Sequence, residues 1–530
     1  MNQRKRFRII LPVFPPFNIY GRIAKTTTAL GPVCIGTIAN KLEDWDAEII
    51  DENNLHGRFY PRHKDGSLDH LKLQELRPAD VVGFYGSMTS AIPRLYELAA
   101  LYKKLGVTTI AGGYHVKNLA LEALTNNIDV VALGEGEITI KQFLTALENN
   151  LPLENVTGIA FLREDRLITT PQQELINDLD SLPFPDFNLV RYAKIKLYPI
   201  GRIRGCNMNC EFCAVKDRAR CSTPEWMMIQ IAHLAETRGA RIFFDVSDHF
   251  VASGVADSIR FCELLSAYQK KIGIRVKMTV QIRLSDARHP QLLRAMREAG
   301  IDNVCIGIES CIDEELLIMR KGYREKDVLD WLNIYHQFGF FIHGMMIFGY
   351  PEKPERRINL PLSERVAKFK KFVRHLDTAQ VLLPVPLPGT ELTERLRQAG
   401  RLYDLDYQYY DGQFQLFEPD HGISPEDMQA AVEEIMGEFY SFSHFWKIWK
   451  AYLINFPLTV FPRAITLATL RVRYLTAGYR KWHRLYFRNS VLRFGGNIIV
   501  RKWKKYFRQS NFLGQLKRAR EKLMARKTDN

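Results

Sequence analysis

The sequence predicts an α/β chain in three parts: an N-terminal doubly wound parallel sheet, a partial (β/α)6 barrel, and a basic helical C-terminal tail. Two rhythms and one break in composition predict it. Short apolar runs alternate with amphipathic stretches over residues 7–149 and again from Lys196 to about residue 400. That alternation is the mark of βαβ units around parallel sheets covered on both faces. From about residue 437, bases and aromatics interleave instead. The expected domains are 1–150, a linker over 151–195, a barrel over 196–400, and a helical C-terminal region over 401–530.

In the first part the runs FRIILPVF, AEIIDEN, DVVGFYGS, TTIAGG and DVVALGEG read as strands. Stretches such as IPRLYELAALYKKLG and ITIKQFLTALENN between them read as helices. Ligands of such a sheet bind beyond the carboxyl ends of its strands, at the switch in strand order. The stretch Asp178–Leu182 followed by PFPDFN favours extended backbone, hence the linker. Six further strands follow: YPIGRIRG, RIFFDVSD, VKMTVQIR, NVCIGIES, FIHGMMIFGYP and TAQVLLPVP. Parallel barrels gather their chemistry at the strand carboxyl ends.

Composition narrows the function classes. The 530 residues are 46% hydrophobic and 25% charged, which excludes a disordered or collagen-like chain. Eight Cys are too sparse for a disulfide framework, and three crowd into one loop, which points to ligation in a reducing, cytoplasmic compartment. The net charge is +15, yet residues 437–530 alone hold 21 Lys and Arg against 3 acids. The body is close to neutral, unlike a nucleic-acid enzyme with a basic catalytic groove, so a nucleic-acid partner is not expected. The apolar stretch at Ile9–Phe14 is too short for a signal h-region and reads as the first strand. No uninterrupted run of 18 apolar residues occurs.

The tail interleaves Trp446, Trp449, Trp482 and Trp503 with Lys and Arg, and residues 450–471 carry Pro457, Pro462 and Arg463. A surface-lying anchor on an anionic membrane, peripheral at its inner face, is the favoured reading. A helical tail packed on the barrel and a single-stranded RNA contact compete with it.

The chemistry centres on Cys206-Asn207-Met208-Asn209-Cys210-Glu211-Phe212-Cys213, a C-x3-C-x2-C loop directly after the first barrel strand. Three thiolates on one short loop can hold an iron–sulfur cluster and leave one iron open. The competing reading is a structural zinc with Cys221 or a His as fourth ligand, although no second C-x2-C knuckle exists. Cys34, Cys221, Cys262, Cys305 and Cys311 read as small hydrophobes. Asp245 and Asp248, at the end of FFDVSDHF, are candidates for cofactor or substrate contact, while His249 and Tyr350 receive no role.

The loop, its aromatic before the last Cys, and its place after strand one resemble the radical S-adenosylmethionine (AdoMet) superfamily over residues 196–400. The resemblance implies a [4Fe–4S] cluster on Cys206, Cys210 and Cys213 whose open iron chelates AdoMet. Further motifs follow in the expected order. Gly307-Ile308-Glu309-Ser310 resembles the segment that binds the AdoMet amino acid moiety or ribose. Gly344 to Gly349 resembles the backbone that holds the adenine side. Pro388-Gly389-Thr390 matches a turn common in one subgroup.

That subgroup is the cobalamin-dependent radical AdoMet enzymes, whose cobalamin-binding domain residues 7–149 resemble. The matches are Ser87-Met88-Thr89, Gly112-Gly113-Tyr114-His115 and Gly134-Glu135-Gly136-Glu137, each after a strand. The D-x-H-x-x-G loop that supplies a lower axial His is absent, and His56, His63, His70 and His115 lack its context. The methylthiotransferase subgroup is excluded, because it carries three Cys in the front domain where this chain has only Cys34.

The resemblance implies reductive cleavage of AdoMet to a 5′-deoxyadenosyl radical, then cobalamin-assisted methylation or rearrangement at an unactivated carbon. The substrate would be a small molecule or lipid, and the electron would come from a reductant such as flavodoxin or ferredoxin. The alternatives are a radical AdoMet enzyme without corrin and a zinc-stabilised RNA-binding protein without catalysis.

Overall fold

The computed structural model describes residues 4–441 apart from 17 and 58, residue 446, and residues 489–528. Trp449, Trp482 and the proline-bearing stretch 450–471 lie outside the described residues.

The front domain is built from β1 (Lys5–Leu11), α1 (Leu30–Asn40), β2 (Trp45–Asp51), α2 (His70–Leu76), β3 (Val81–Tyr85), α3 (Ile92–Lys104), β4 (Thr108–Gly112), α4 (Tyr114–Asn118), α5 (Ala120–Thr125), β5 (Val130–Ala132) and α6 (Gly136–Glu148). Each of the five expected strands is present. Their near-continuous burial, as in Ile9, Ile10 and Leu11 or Val81 and Val82, is what two helical layers over one sheet require. The strand order β5-β4-β3-β1-β2 is that of a doubly wound sheet with its switch between β1 and β3. The loops after those two strands therefore flank its ligand crevice.

The stretch 151–195 is more than the linker the prolines suggested. β6 (Ile159–Arg163) and β7 (Arg166–Thr169) form an antiparallel hairpin that extends the sheet beyond β5, and β8 (Val190–Arg191) adds to its other edge beside β2. The hairpin turns through Glu164 and Asp165, both at positive φ (47° and 61°). Such a turn matches the twist of its strands, and no Gly announced it in the sequence.

The second sheet runs β9 (Tyr198–Ile200), β12 (Ile242–Asp245), β13 (Lys277–Ile282), β14 (Ile301–Glu309), β15 (Phe341–Ile347) and β16 (Thr378–Leu382), all parallel and in sequence order. The two-stranded ribbon β10 (Ile203–Arg204) and β11 (Arg220–Cys221) interrupts it. Helices α7 (Pro224–Thr237), α8 (Val255–Ile272), α9 (Pro290–Glu298), α10 (Asp313–Ile318), α11 (Glu325–Gln337), α12 (Leu362–Val373), α13 (Glu391–Gln398) and α14 (Pro425–Phe439) follow. Strand register sorts the faces. Ile282, Ile306, Gly344 and Ala379 align in one buried row. Gln281, Cys305, His343 and Thr378 form the alternate row, only half-buried, which is the barrel's inner face.

Residues 401–418 return to the front domain. Tyr407 Oη donates to Glu122 at 2.7 Å, and its ring packs edge-on against His115 at 4.7 Å. Two basic helices, α15 (Asn489–Gln509) and α16 (Phe512–Thr528), close this region from outside. Phe507, Phe512, Leu516 and Leu523 join Tyr409, Phe414 and Leu416 in a separate apolar cluster. Each large side chain buried there contributes about 1.5–3 kcal/mol before entropy is counted.

Candidate functional site

The cysteine loop is a hairpin pinned at its base by the ribbon, in which Ile203 pairs Cys221 and Arg204 pairs Arg220. Its shape follows from local chemistry. Gly205 has φ +86°, and a Cβ there would stand 2.6 Å from the Arg218 carbonyl oxygen. Asn207, at φ +59°, accepts the Ala219 N–H on its side chain at 2.7 Å. The Cys213 N–H donates to Cys210 O at 3.2 Å, which turns the last two cysteines toward each other.

The other end is tied to the opposite edge of the barrel. Glu211 is buried and binds Arg395 and Lys353, each at 3.0 Å, and accepts the Tyr350 hydroxyl at 2.8 Å. Tyr350, which the sequence left without a role, is thus an anchor for the loop. His249 is likewise structural, 2.7 Å from Asp286.

The three thiols act as one electrostatic unit. Burial pushes Cys206 up to about 11, the charges of Asp248, Cys213 and Cys210 add to the rise, and Arg283 opposes it. Cys213 is raised by burial and by Cys210 in the same way. Cys221 stands at the ribbon base, where Arg202 and Asp257 are its charged neighbours. Among the described residues, no three His, Cys, Asp or Glu side chains converge on a point that could hold one metal ion. Zinc at about 2.3 Å from each sulfur needs that convergence, whereas a four-iron cluster takes its thiolates on separate irons. The three thiols therefore suit a cluster that spreads its ligands over separate irons, and among the described residues no fourth ligand joins them for zinc.

Glu309 ends β14 with φ +66°, a left-handed conformation that costs a non-glycine residue about 1–2 kcal/mol. The pairing with β15 slips between Gly307 and Glu309. The carboxylate folds back over Gly307, where a Cβ would lie 2.4 Å from its Oε1. Lys321 Nζ meets that oxygen at 3.1 Å. Burial acts to lower the Lys321 pKa, but Tyr323, Glu309 and Cys210 override it and raise it. Lys321 so joins the Glu309 strand end to the cysteine loop, a link that sequence spacing did not reveal.

Other expected contacts are placed differently. Ser310 is fully buried, its hydroxyl bound to Glu315 and to the Ile312 N–H. A Cβ on Gly344 would lie 2.4 Å from Leu376, and one on Gly349 would lie 1.8 Å from Met428. Both glycines make room for side chains packed against the sheet, which accounts for a glycine at each place whether or not the backbone also meets a ligand. Asp245 is buried and capped by the Ser247 N–H at 2.9 Å, whereas Asp248 keeps an accessible carboxylate. Partial burial, then Asp245 and Asp217, push the Asp248 pKa up.

In the front domain the ends of β3 and β4 are laced together. Gly86 N donates to Gly112 O at 2.8 Å, and Ser87 Oγ accepts from Tyr114 N at 3.3 Å. Gly113 has φ +128°, and a Cβ there would stand 2.4 Å from Ser87 Oγ. With Gly134 exposed after β5, these strand ends carry only small residues. Gly136 serves packing instead, since a Cβ would meet Ile35 at 2.7 Å.

His115 and Thr89 are buried against each other at 3.2 Å, with Tyr407 closing over the imidazole, so neither presents a face to a ligand. The other front-domain histidines are engaged too: His56 with Lys25 O, His63 with Asp69, and His70 with Tyr102 and Glu52.

Glu135 is committed elsewhere. Its carboxylate binds Arg204 at 2.9 Å and Arg220 at 2.8 Å, while Glu137 takes the second Arg204 nitrogen at 2.5 Å. Burial would raise Glu135, but hydrogen bonds from Arg220 and Arg204 bring it down to about 2. The acidic loop after β5 therefore grips both strands at the base of the cysteine hairpin. Beside it, Tyr114 points the β4 end toward the barrel. Burial and then the charges of Asp248, Asp217 and Cys213 raise its phenol to about 12. The carboxyl ends of the two sheets face one another across that ring.

Comparison with known proteins gives this arrangement its class. The Radical SAM superfamily profile matches residues 200–360. An uncharacterized methyltransferase of Pyrococcus horikoshii is 26% identical over 77% of this chain and 86% of its own length. An anaerobic magnesium-protoporphyrin IX monomethyl ester cyclase of Cereibacter sphaeroides is 25% identical over 63% of this chain, a match that spans 55% of the cyclase. Among solved structures, the cobalamin-dependent radical enzyme OxsB with aqua-cobalamin bound superposes with a TM-score of 0.62 at 12% identity, covering 98% of this chain and 84% of that one. Residues 200–360 are a radical SAM domain, and the chain is a radical SAM enzyme whose cofactors are a [4Fe–4S] cluster and AdoMet.

Proposed function

We propose that this enzyme is a cobalamin-dependent radical AdoMet methyltransferase acting on an unactivated carbon of a small molecule or lipid. The observation that carries this reading is the Glu135 clamp on Arg204 and Arg220, which sets the β5 end of the front sheet against the base of the cysteine loop. A methyl donor in the front domain and a radical source on the cysteine loop would then share one cleft. When bound, the cluster supplies an electron to AdoMet, and cobalamin supplies a methyl carrier.

The chain's own residues do the rest. Cys206, Cys210 and Cys213 hold the cluster, and Lys321 and Arg283 set positive charge beside it. The Glu309 carboxylate, oriented by Lys321, is placed to accept hydrogen bonds from an AdoMet ammonium. Ser87, Gly112, Gly113 and Gly134 leave the front strand ends open. The Glu135–Arg204–Arg220 clamp holds the two sites in register and keeps bulk water from the seam.

The lipid reading rests on the tail. Arg501, Lys502, Lys505, Arg508, Lys517, Arg518 and Lys522 are exposed on α15 and α16, a cationic face suited to anionic headgroups. Phe507, Phe512, Leu516 and Leu523 of those helices are spent on the 403–416 segment, while Ile498, Leu513 and Met524 stay exposed, so the described part would attract a membrane chiefly by charge. Among the described residues no helix is long and apolar enough to cross one.

The test is anaerobic reconstitution with iron, sulfide and hydroxocobalamin, followed by AdoMet and a reductant. Formation of both 5′-deoxyadenosine and S-adenosylhomocysteine is expected. A protein that binds iron and cleaves AdoMet but leaves cobalamin in the flow-through would overturn the methyltransferase reading. Partition of a chain lacking residues 489–530 onto anionic vesicles, undiminished, would discard the membrane part.

A further inference from the structure

The body of the chain is close to neutral, yet one end of the front sheet is not. Residues 12–27 follow β1, residues 52–64 follow β2, and residues 191–197 lead from β8 into β9. Together they hold eight Lys and Arg against one acid, Glu52. Glu52 is spent inside, 3.1 Å from His70 and 2.8 Å from Arg94. The seven bases among the described residues are all exposed. Of these only Arg191 is paired with a carboxylate among the described residues, Glu48 at 3.9 Å.

Hydrogen bonds stitch the three segments into one surface. His56 Nε2 lies 3.0 Å from Lys25 O, and the His56 N–H donates to Tyr192 O at 2.6 Å. The Asn54 side chain donates to Thr27 O at 2.8 Å and accepts the Lys194 N–H at 3.2 Å. The Lys196 N–H donates to Thr26 O at 2.8 Å. The Tyr60 and Tyr192 rings pack with their centroids 5.9 Å apart. Two apolar side chains project from this cationic ground, Phe59 at 93% exposure and Ile23 at 48%. Phe59 adjoins Tyr60, and Ile23 lies two residues before Lys25, so the stitching holds both tips on the same surface.

The make-up of this surface selects its partner. Lys25, Lys64, Lys194 and Lys196 are lysines, whose compact hydrated charge is depleted at protein–protein interfaces. The apolar tips stand on separate loops, each set among bases: Ile23 between Arg22 and Lys25, Phe59 between Arg58 and Arg62. A folded partner matches a continuous apolar patch, whereas a bilayer surface needs no matching shape. It takes single aromatic and aliphatic tips at headgroup depth and draws lysines to anionic lipid.

We infer that this end of the front domain docks on an anionic lipid bilayer, with Phe59 and Ile23 entering the headgroup layer and the lysines pairing with lipid phosphates. The contact is separate from the one proposed for the tail, since it uses none of residues 489–528. The 12–27 loop also flanks the crevice at the β1–β3 switch, which sets the bilayer beside the ligand end of the sheet. The surface rests on the lipid reading of the substrate for its purpose, but its binding is testable without any catalysis.

Full-length protein is sedimented with vesicles of phosphatidylcholine alone and of phosphatidylcholine mixed with phosphatidylglycerol, at one ionic strength. A charge variant combines Lys25→Glu, Lys64→Glu, Lys194→Glu and Lys196→Glu, all exposed side chains. An apolar variant carries Phe59→Ser alone. Wild type is expected to bind the phosphatidylglycerol vesicles, at least tenfold more tightly than the charge variant and about threefold or more above Phe59→Ser, with thermal melting unchanged. No tail residue is altered, so whatever binding the tail supplies is equal in the three proteins. Vesicle binding by either variant equal to that of wild type, or none by wild type, overturns the inference. Binding to poly-L-glutamate that the charge variant loses, with its vesicle binding intact, also overturns it and assigns the face to an acidic protein. A chain that cleaves no AdoMet and retains no cobalamin, yet shows the Phe59-dependent vesicle binding, would sink the proposed function and leave this surface standing.

Discussion

Replacing Glu135 by Gln should uncouple the two halves of the enzyme without removing a cofactor ligand. The carboxylate bridges Arg204 and Arg220 at 2.9 and 2.8 Å, and its pKa falls from an ordinary 4.5 to about 2. At 1.36 kcal/mol per pH unit this corresponds to about 3 kcal/mol. Arg204 is 30% exposed and solvent screens the pair, so ~2 kcal/mol is the expected loss at pH 7. For a chain of 530 residues unfolding as one unit, that is a fall in Tm of roughly 2 °C, and twice that or more where the front domain unfolds alone.

The pH dependence follows from the same shift. Folded Glu135 keeps its charge down to about pH 2, whereas a free Glu loses it near 4.5. The stabilisation is therefore complete above about 4.5 and fades as pH falls toward 2. Scanning calorimetry of wild type and Glu135→Gln at pH 7 and at successively lower pH measures the gap directly. Because Glu137 still holds Arg204, 5′-deoxyadenosine formation should persist while methyl transfer drops by tenfold or more. Equal Tm values at pH 7, or a gap that stays constant as pH falls, would refute the clamp.

The remaining expectations concern other parts of the seam. Anaerobic reconstitution of Cys206→Ala, Cys210→Ala and Cys213→Ala should each lose most of the iron and the brown absorbance, while Cys221→Ala retains both. Gly113→Ala forces a Cβ to within 2.4 Å of Ser87 Oγ at φ +128°, so cobalamin retention should fall at least tenfold in equilibrium dialysis. Lys321→Met leaves Glu309 buried without its cation and should cost about 3 kcal/mol in denaturant unfolding, most of it recovered in the double variant with Glu309→Gln.

The strands were legible because each is buried on both faces and so reads as an unbroken apolar run, from FRIIL to TAQVL. The cysteine loop was legible because ligand geometry forces short spacing. What was missed is what tertiary contact decides. The hairpin of β6 and β7 turns through Glu164 and Asp165, where a lone Asp without an adjacent Gly or Asn is a weak mark of a two-residue turn. Gly344 and Gly349 looked like ligand-approach glycines, yet Leu376 and Met428 fill the space above them. A glycine reports only that something comes close, and the sequence does not say whether it is a ligand or a neighbouring side chain.

The same ambiguity governs the charged residues, and it can be resolved by asking where each charge is balanced. Glu135 stood in a motif shared with ligand-binding loops, but two arginines neutralise it inside the chain. Glu309 is neutralised once, by Lys321, and keeps a second oxygen for a ligand. Asp411 has no cation among the described residues. Ordered this way, Glu135 is a structural clamp, Glu309 is a carboxylate with an oxygen to spare, and Asp411 is held among the described residues by Gln413. Motif position gave Glu135 and Glu309 the same cofactor role and did not single out Asp411, because it registers where a residue sits along a strand and is blind to what the fold brings opposite it.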